Sequence, residues 1–81
     1  MSILRKMLKN LSTDRIKYLG VKAKGLAEDM DKTFNDLSMF EVFYTLSLAI
    51  LSLLERLGNK SLGYFTEIFN EMTLIYQHKN N

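Results

Sequence analysis

The sequence predicts an all-α protein, a small up-and-down helical bundle that is completed by dimerisation. The chain of 81 residues contains no proline and only four glycines, and its apolar residues recur at intervals of three and four. Proline and glycine interrupt helices, whereas this spacing places side chains on one helix face. We therefore expect a single domain, residues 1–81, with helices at about 3–11, 14–36, 39–57 and 61–77.

The first predicted helix, residues 3–11, is short and amphipathic. Its apolar side chains share one face, and Arg5, Lys6 and Lys9 lie opposite. Either Ser12 or Thr13 then supplies an N-cap for the second helix, because a side-chain hydroxyl accepts a hydrogen bond from a free backbone N–H group. We expect a turn between the two helices, with one continuous helix as the alternative.

The second predicted helix carries a seam of apolar residues, called here the 16–37 seam. Its members are Ile16, Leu19, Ala23, Leu26, Met30, Phe34 and Leu37. Their spacing is typical of a helix that packs against a nearly antiparallel neighbour. Gly20 and Gly25 each cost about 1 kcal/mol relative to alanine in a helix interior. An interruption between these glycines is therefore the alternative to a continuous helix.

The third predicted helix, residues 39–57, has the clearest boundaries. Ser38 and Glu41 have the spacing of a capping box, in which each side chain binds the backbone N–H group of the other residue. Gly58 and Asn59 tolerate the backbone conformations that end helices. No charged residue lies between Val42 and Leu54.

This helix has more apolar surface than a chain of this length covers easily by itself. One set of its residues is assigned to the intramolecular core: Val42, Phe43, Leu46, Ile50, Leu53 and Leu57. Another set is assigned to a dimer or partner interface: Phe40, Tyr44, Leu48, Leu51 and Leu54. The fourth helix places a further apolar face over 61–77, and the polar residues 78–81 are expected to fray.

Composition indicates how such a small domain is reinforced. The chain has no cysteine and a single histidine, His78, so a disulfide is excluded and a zinc site nearly so. Association with another chain is the expected source of stability. The first residues lack a secretory signal, and the uncharged stretch 42–54 is shorter than the roughly 20 residues of a membrane span. We expect a cytoplasmic protein.

Residue patterns argue against an enzyme. No serine has a recognisable nucleophile motif, and the Gly20 to Gly25 segment lacks the spacing of a phosphate-binding loop. A calcium loop beginning at Asp29 fails, because Phe34 falls where glycine is needed and Phe40 falls where a bidentate glutamate belongs. We therefore assign no catalytic, cofactor-binding or metal-binding residue, and we expect no cofactor.

Charge is unevenly divided along the chain. Residues 1–24 contain seven basic and one acidic residue, a net +6, whereas residues 25–81 contain four basic and eight acidic residues, a net −4. This division suits a charge match within the chain or between subunits, or a basic surface for an anionic partner. The candidate contacts are Arg5, Lys6, Lys9, Arg15 and Lys17.

Two functions follow as hypotheses. The preferred one is a small regulatory protein-protein interaction module, either an adaptor, a chaperone-like subunit or a protein inhibitor, that forms a homodimer or binds another protein. The alternative is a helical dimer that binds nucleic acid through its basic N-terminal segment. An anionic membrane surface is the least favoured partner.

Overall fold

The computed structural model describes residues 2–80, which form four helices in chain order. These are α1 (Ile3–Lys9), α2 (Thr13–Thr33), α3 (Met39–Leu57) and α4 (Ser61–Asn80). No strand occurs within the described range. The predicted all-α fold class is confirmed.

Serine side chains cap the N-termini of α1, α2 and α3. Ser2 Oγ accepts a hydrogen bond from the Arg5 backbone N–H group at 3.1 Å, and Ser12 Oγ accepts one from the Arg15 N–H group at the same distance. Each bond satisfies a donor that has no partner within its own helix. Ser12, and not Thr13, is therefore the N-cap of α2, and the predicted turn between α1 and α2 is confirmed.

The capping box at the start of α3 is also confirmed. The Ser38 N–H group donates to Glu41 Oε1 at 2.8 Å, and the Glu41 N–H group donates to Ser38 Oγ at 3.4 Å. The two residues thus satisfy each other's free donors. Their spacing in the sequence was sufficient to locate this boundary, because the interaction spans less than one turn of helix.

The hydrogen bond from the Ser38 N–H group lowers the pKa of Glu41 below its ordinary value of 4.5, and the Ser38 side chain adds to this effect. Because this pKa is lower in the folded state, the ionised carboxylate stabilises the fold at pH values above its unfolded-state pKa. The stabilisation is lost as the pH falls through the folded-state pKa. We expect wild type to resist urea better than Glu41→Gln at neutral pH. This difference in urea resistance between the two proteins should vanish at acidic pH.

Circular dichroism of urea unfolding over a series of pH values measures this effect. Glutamine keeps the size and hydrogen-bonding capacity of the side chain but not its charge. A difference between the two proteins that stays constant from neutral to acidic pH would show that the charge of Glu41 contributes nothing to the cap.

Several helix ends differ from the sequence predictions. The first helix ends at Lys9 instead of residue 11, and α2 ends at Thr33 instead of residue 36, because residues 34–36 form a turn. Conversely, α4 continues to Asn80, past the predicted end at residue 77. His78 and Lys79 lie in its last turn, where basic side chains suit the negative end of the helix dipole. Fraying of this end stays a prediction, and Asn81 lies outside the described residues.

The second helix is continuous through both of its internal glycines. No interruption occurs between Gly20 and Gly25, so the alternative of a broken helix is wrong. Gly58, in contrast, has a φ of 114° and a ψ of 170°, a conformation that is essentially restricted to glycine. It ends α3 and allows the abrupt turn into α4. The Gly58 carbonyl accepts a hydrogen bond from the Ser61 backbone N–H group at 3.1 Å, which fixes the turn.

Packing is centred on α4, because both α1 and α3 lie against it. The buried apolar residues of the described chain are Leu4 in α1 and Leu54 in α3, each 6% exposed. The second helix makes at most a weak contact with any other described helix. Within one chain, the 16–37 seam therefore lacks the antiparallel neighbour that its spacing predicts.

The single chain is unusually open for its mass. It exposes 7351 Å², whereas a compact monomer of 9.4 kDa exposes about 5000 Å². Its radius of gyration is 14.5 Å, against about 12 Å for a compact domain of the same length. The helices are thus arranged as part of a bundle whose apolar faces are only partly covered.

Candidate interaction surface

The surface that the sequence assigned to an interface lies mainly along the outer side of α3. Phe40 is 74% exposed, and Tyr44, Leu48 and Leu51 are also exposed. The four residues follow one another at intervals of four and three, so they share one helix face. We call them the outer α3 face. The Phe40 ring meets the Phe43 ring edge to face, with the ring centroids 6.1 Å apart.

Leu54, the fifth residue of the predicted interface, lies elsewhere. It is buried within the chain, and its carbonyl accepts a hydrogen bond from Ser61 Oγ. The tight turn at Gly58 folds α4 back over this end of α3, so that the chain itself covers Leu54. The single chain therefore covers Leu54 by itself, and a contact of Leu54 with a partner stays a prediction.

Three residues assigned to the intramolecular core are exposed instead: Phe43 at 53%, Leu53 at 47% and Leu57 at 65%. The reason is that α3 packs against one helix, α4, and a single neighbour covers only a narrow line along a helix. That line follows Val42, Leu46, Ile50 and Leu54, which recur every four residues. The first three are half-buried, in agreement with their assignment.

An apolar groove runs between α3 and α4, and we call it the α3/α4 groove. It has a volume of about 490 Å³, and its walls come from Phe43, Leu46, Ser47, Ile50, Leu51, Leu62, Phe65, Thr66 and Phe69. The Phe65 and Phe69 rings are stacked, with their centroids 5.7 Å apart and their planes 12° apart. This groove adjoins the outer α3 face through Leu51.

A second groove, the α1/α2/α4 groove, was not anticipated from the sequence. It has a volume of about 590 Å³ and is lined by Leu4, Met7, Leu8, Leu11, Ile16, Leu19, Gly20, Ala23, Met72, Ile75, Tyr76 and Lys79. Lys79 is its one charged lining residue. The signals for this groove were the apolar face of the first helix and the 16–37 seam, but only the tertiary arrangement places them opposite the end of α4.

The predicted anion contacts lie on the surface of α1 and the first turns of α2. Arg5, Lys6, Lys9, Arg15 and Lys17 are all exposed. The Arg15 guanidinium carbon is 4.7 Å from the centroid of the Tyr18 ring, and Lys22 Nζ is 5.7 Å from it. These are cation–π distances, so the basic face of α2 is organised around its own aromatic ring. Contact of these residues with an anionic partner stays a prediction.

The described residues contain no group of three or more histidine, cysteine, aspartate or glutamate side chains placed to hold a metal ion. None of the helices in residues 2–80 has the length and apolar character required to cross a membrane. No protein-family model matches the chain, and no curated protein or solved structure is significantly similar to it.

Proposed function

We propose that this chain is a small, non-enzymatic interaction module of the cytoplasm, whose apolar grooves are completed by another protein chain. In this role it acts as an adaptor, a chaperone-like subunit or a protein inhibitor. The observation that carries the proposal is the surplus of exposed surface. The chain exposes 7351 Å², which exceeds the area expected for a compact monomer of its mass by about 2300 Å².

The character of this surface favours a protein partner over a small molecule. A small-molecule site combines apolar walls with a few polar groups that orient the ligand. The α1/α2/α4 groove offers one charged lining residue, Lys79, along a wall built from three helices. Long apolar grooves between helices are instead suited to an amphipathic helix, which places side chains at intervals of three and four along the groove.

The position of the exposed residues also supports a protein partner. The outer α3 face and the two grooves involve all four helices, so the uncovered apolar surface is not restricted to one loose end of the chain. A contiguous apolar patch above about 400 Å² normally marks an interaction site. Burial in an assembly removes this surface from water, which is the main favourable contribution to protein association.

Sedimentation velocity and binding of a hydrophobic dye test this proposal on the purified chain. We expect one of two results, and either supports an interaction module. A dye-silent particle heavier than 9.4 kDa means that copies of the chain cover one another. A monomer that binds the dye strongly means that a different protein is required to cover the surface.

A folded monomer that binds no dye would overturn the proposal, because its apolar surface would then already be covered. Far-ultraviolet circular dichroism on the same sample shows whether the chain is folded. The thermal transition of that sample distinguishes a cooperatively folded monomer from a collapsed one.

A further inference from the structure

The 16–37 seam and the α1/α2/α4 groove fit each other, which points to what fills the groove. Resting on the interaction function proposed above, we propose that the occupant is the C-terminal half of α2 from a second copy of this chain. The two α2 helices then pair antiparallel, about a two-fold axis near Ala23.

The seam has the symmetry that such a pairing requires. Ile16 precedes Ala23 by seven residues and Met30 follows it by seven. Seven residues are close to two turns of helix, so all three side chains lie on the same face of α2. In an antiparallel pair, Ile16 of each copy faces Met30 of the other, and the contact is the same on both sides of the axis.

The two halves of α2 also have complementary surroundings within one chain. In the N-terminal half, Ile16, Leu19 and Ala23 form one wall of the α1/α2/α4 groove, next to α1 and α4. In the C-terminal half, Leu26 is 59% exposed and Met30 is only half-buried. An open groove and an uncovered helix half thus occur side by side. A two-fold pair places each uncovered half in the groove of the other copy.

Charge favours the antiparallel direction. Within α2, residues 13–24 contain four basic residues and one acidic residue, a net +3, whereas residues 25–33 contain three acidic residues and one basic residue, a net −2. An antiparallel pair places the basic half of each α2 beside the acidic half of the other. A parallel pair would place like charges together, which disfavours it.

The exposed area is of the size that a second copy covers. A surplus of about 2300 Å² per chain corresponds to about 4600 Å² for a pair, which lies within the range of obligate homodimers. A contact of this size is much larger than the interfaces of weak encounters, which bury less than about 1200 Å² in total. Pairing through α2 with closure of its groove therefore accounts for the part of this openness that lies around α1, α2 and the end of α4.

Cysteine cross-linking tests both the face and the direction, and the absence of natural cysteine keeps the readout clean. Ile16→Cys and Met30→Cys are prepared separately, then mixed, unfolded, refolded together and oxidised. We expect a disulfide-linked dimer in the mixture and none in either variant alone. The reason is that residues 16 and 30 meet across the pair, whereas two copies of residue 16 lie about 21 Å apart.

Val21→Cys is the matched control, because Val21 is on α2 but 71% exposed and away from the seam. It should not cross-link, and non-reducing gel electrophoresis with mass spectrometry reads all samples. A disulfide in Ile16→Cys alone would mean a parallel pair and would overturn the proposal. Cross-linking of Val21→Cys as strong as that of the mixture would also overturn it, since the products would then reflect random collisions.

Sedimentation of the same samples separates the possible failures. A dimer mass without any 16-to-30 cross-link means that the copies associate through another face, which overturns this pairing but leaves the interaction function standing. A dye-binding monomer means that a different protein occupies the groove. This result also overturns the pairing and leaves the interaction function standing. A folded, dye-silent monomer overturns both proposals.

Discussion

Replacing Leu26 with glutamate is expected to dissociate the proposed dimer and leave most of the helical content intact. Leu26 belongs to the 16–37 seam and is 59% exposed in the single chain, so the substitution costs that chain little. In the proposed pair, each copy would bury a carboxylate against the mainly apolar wall of the α1/α2/α4 groove. Burying such a charge weakens the free energy of association by on the order of 3 kcal/mol for each copy, which raises the Kd about a hundredfold. Sedimentation equilibrium measures the change.

Val21→Glu is the control for this variant. It introduces the same charge on the same helix, at a site that is 71% exposed and outside the seam. Glutamate is also a good helix former, so neither variant should weaken α2 by itself. Equal weakening by both variants would show that added negative charge, and not the seam, is responsible. An unchanged Kd in Leu26→Glu would place the contact on a different face.

The boundaries of the helices were the most predictable part of the fold, because they depend on interactions within a few residues. Ser38 and Glu41 bind each other across three residues, and the sequence identifies both. The cap that Ser12 forms at the start of α2 also spans three residues, to the Arg15 backbone N–H group. The two α2 glycines were harder to interpret, since their cost in a helix is small and the surrounding sequence outweighs it.

The distribution of burial around α3 was not predictable from periodicity alone. Leu54 and Leu57 are three residues apart and chemically identical, yet one is buried and the other is 65% exposed. Their difference depends on the direction in which α4 leaves the turn at Gly58. The sequence shows that a turn occurs there, but only the packed arrangement shows which side of α3 it covers.

The 16–37 seam shows the opposite relation between sequence and structure. Its spacing predicts an antiparallel neighbour along much of the helix, whereas the other described helices of the same chain contact it at most weakly. Hydrophobic periodicity reports that a face is buried, but not whether the covering helix belongs to the same molecule. The seam and the excess exposed area therefore support each other, since one indicates burial and the other indicates that the burial is incomplete within one chain.

Within the single chain, a large loss of stability is expected from Leu54→Ala. Leu54 anchors the contact between α3 and α4 and is 6% exposed, so truncation leaves a cavity that the surrounding side chains fill only partly. A substitution of this kind costs about 2–4 kcal/mol. This loss is a large part of the free energy of unfolding of a small domain, because the core of such a domain rarely contributes more than about 3–5 kcal/mol. Urea unfolding followed by circular dichroism measures the loss.

Leu57→Ala is the matched control, because it makes the same chemical change one turn further along α3. Leu57 is 65% exposed, so its truncation removes little buried area, and alanine is at least as good a helix former as leucine. We expect a loss below about 1 kcal/mol. The comparison must be made at one fixed protein concentration, because the stability of an associated chain depends on concentration.

The pair of variants also reports on what lies against α3 in the assembled protein. If the two losses are equal and both large, Leu57 must be covered by another chain, since it is 65% exposed in the single chain. If they are equal and both small, Leu54 cannot be the anchor between α3 and α4, and the packing described for this end of the bundle is wrong. Repeating the measurement at tenfold dilution separates these cases, because dilution weakens only the contribution that a second chain makes.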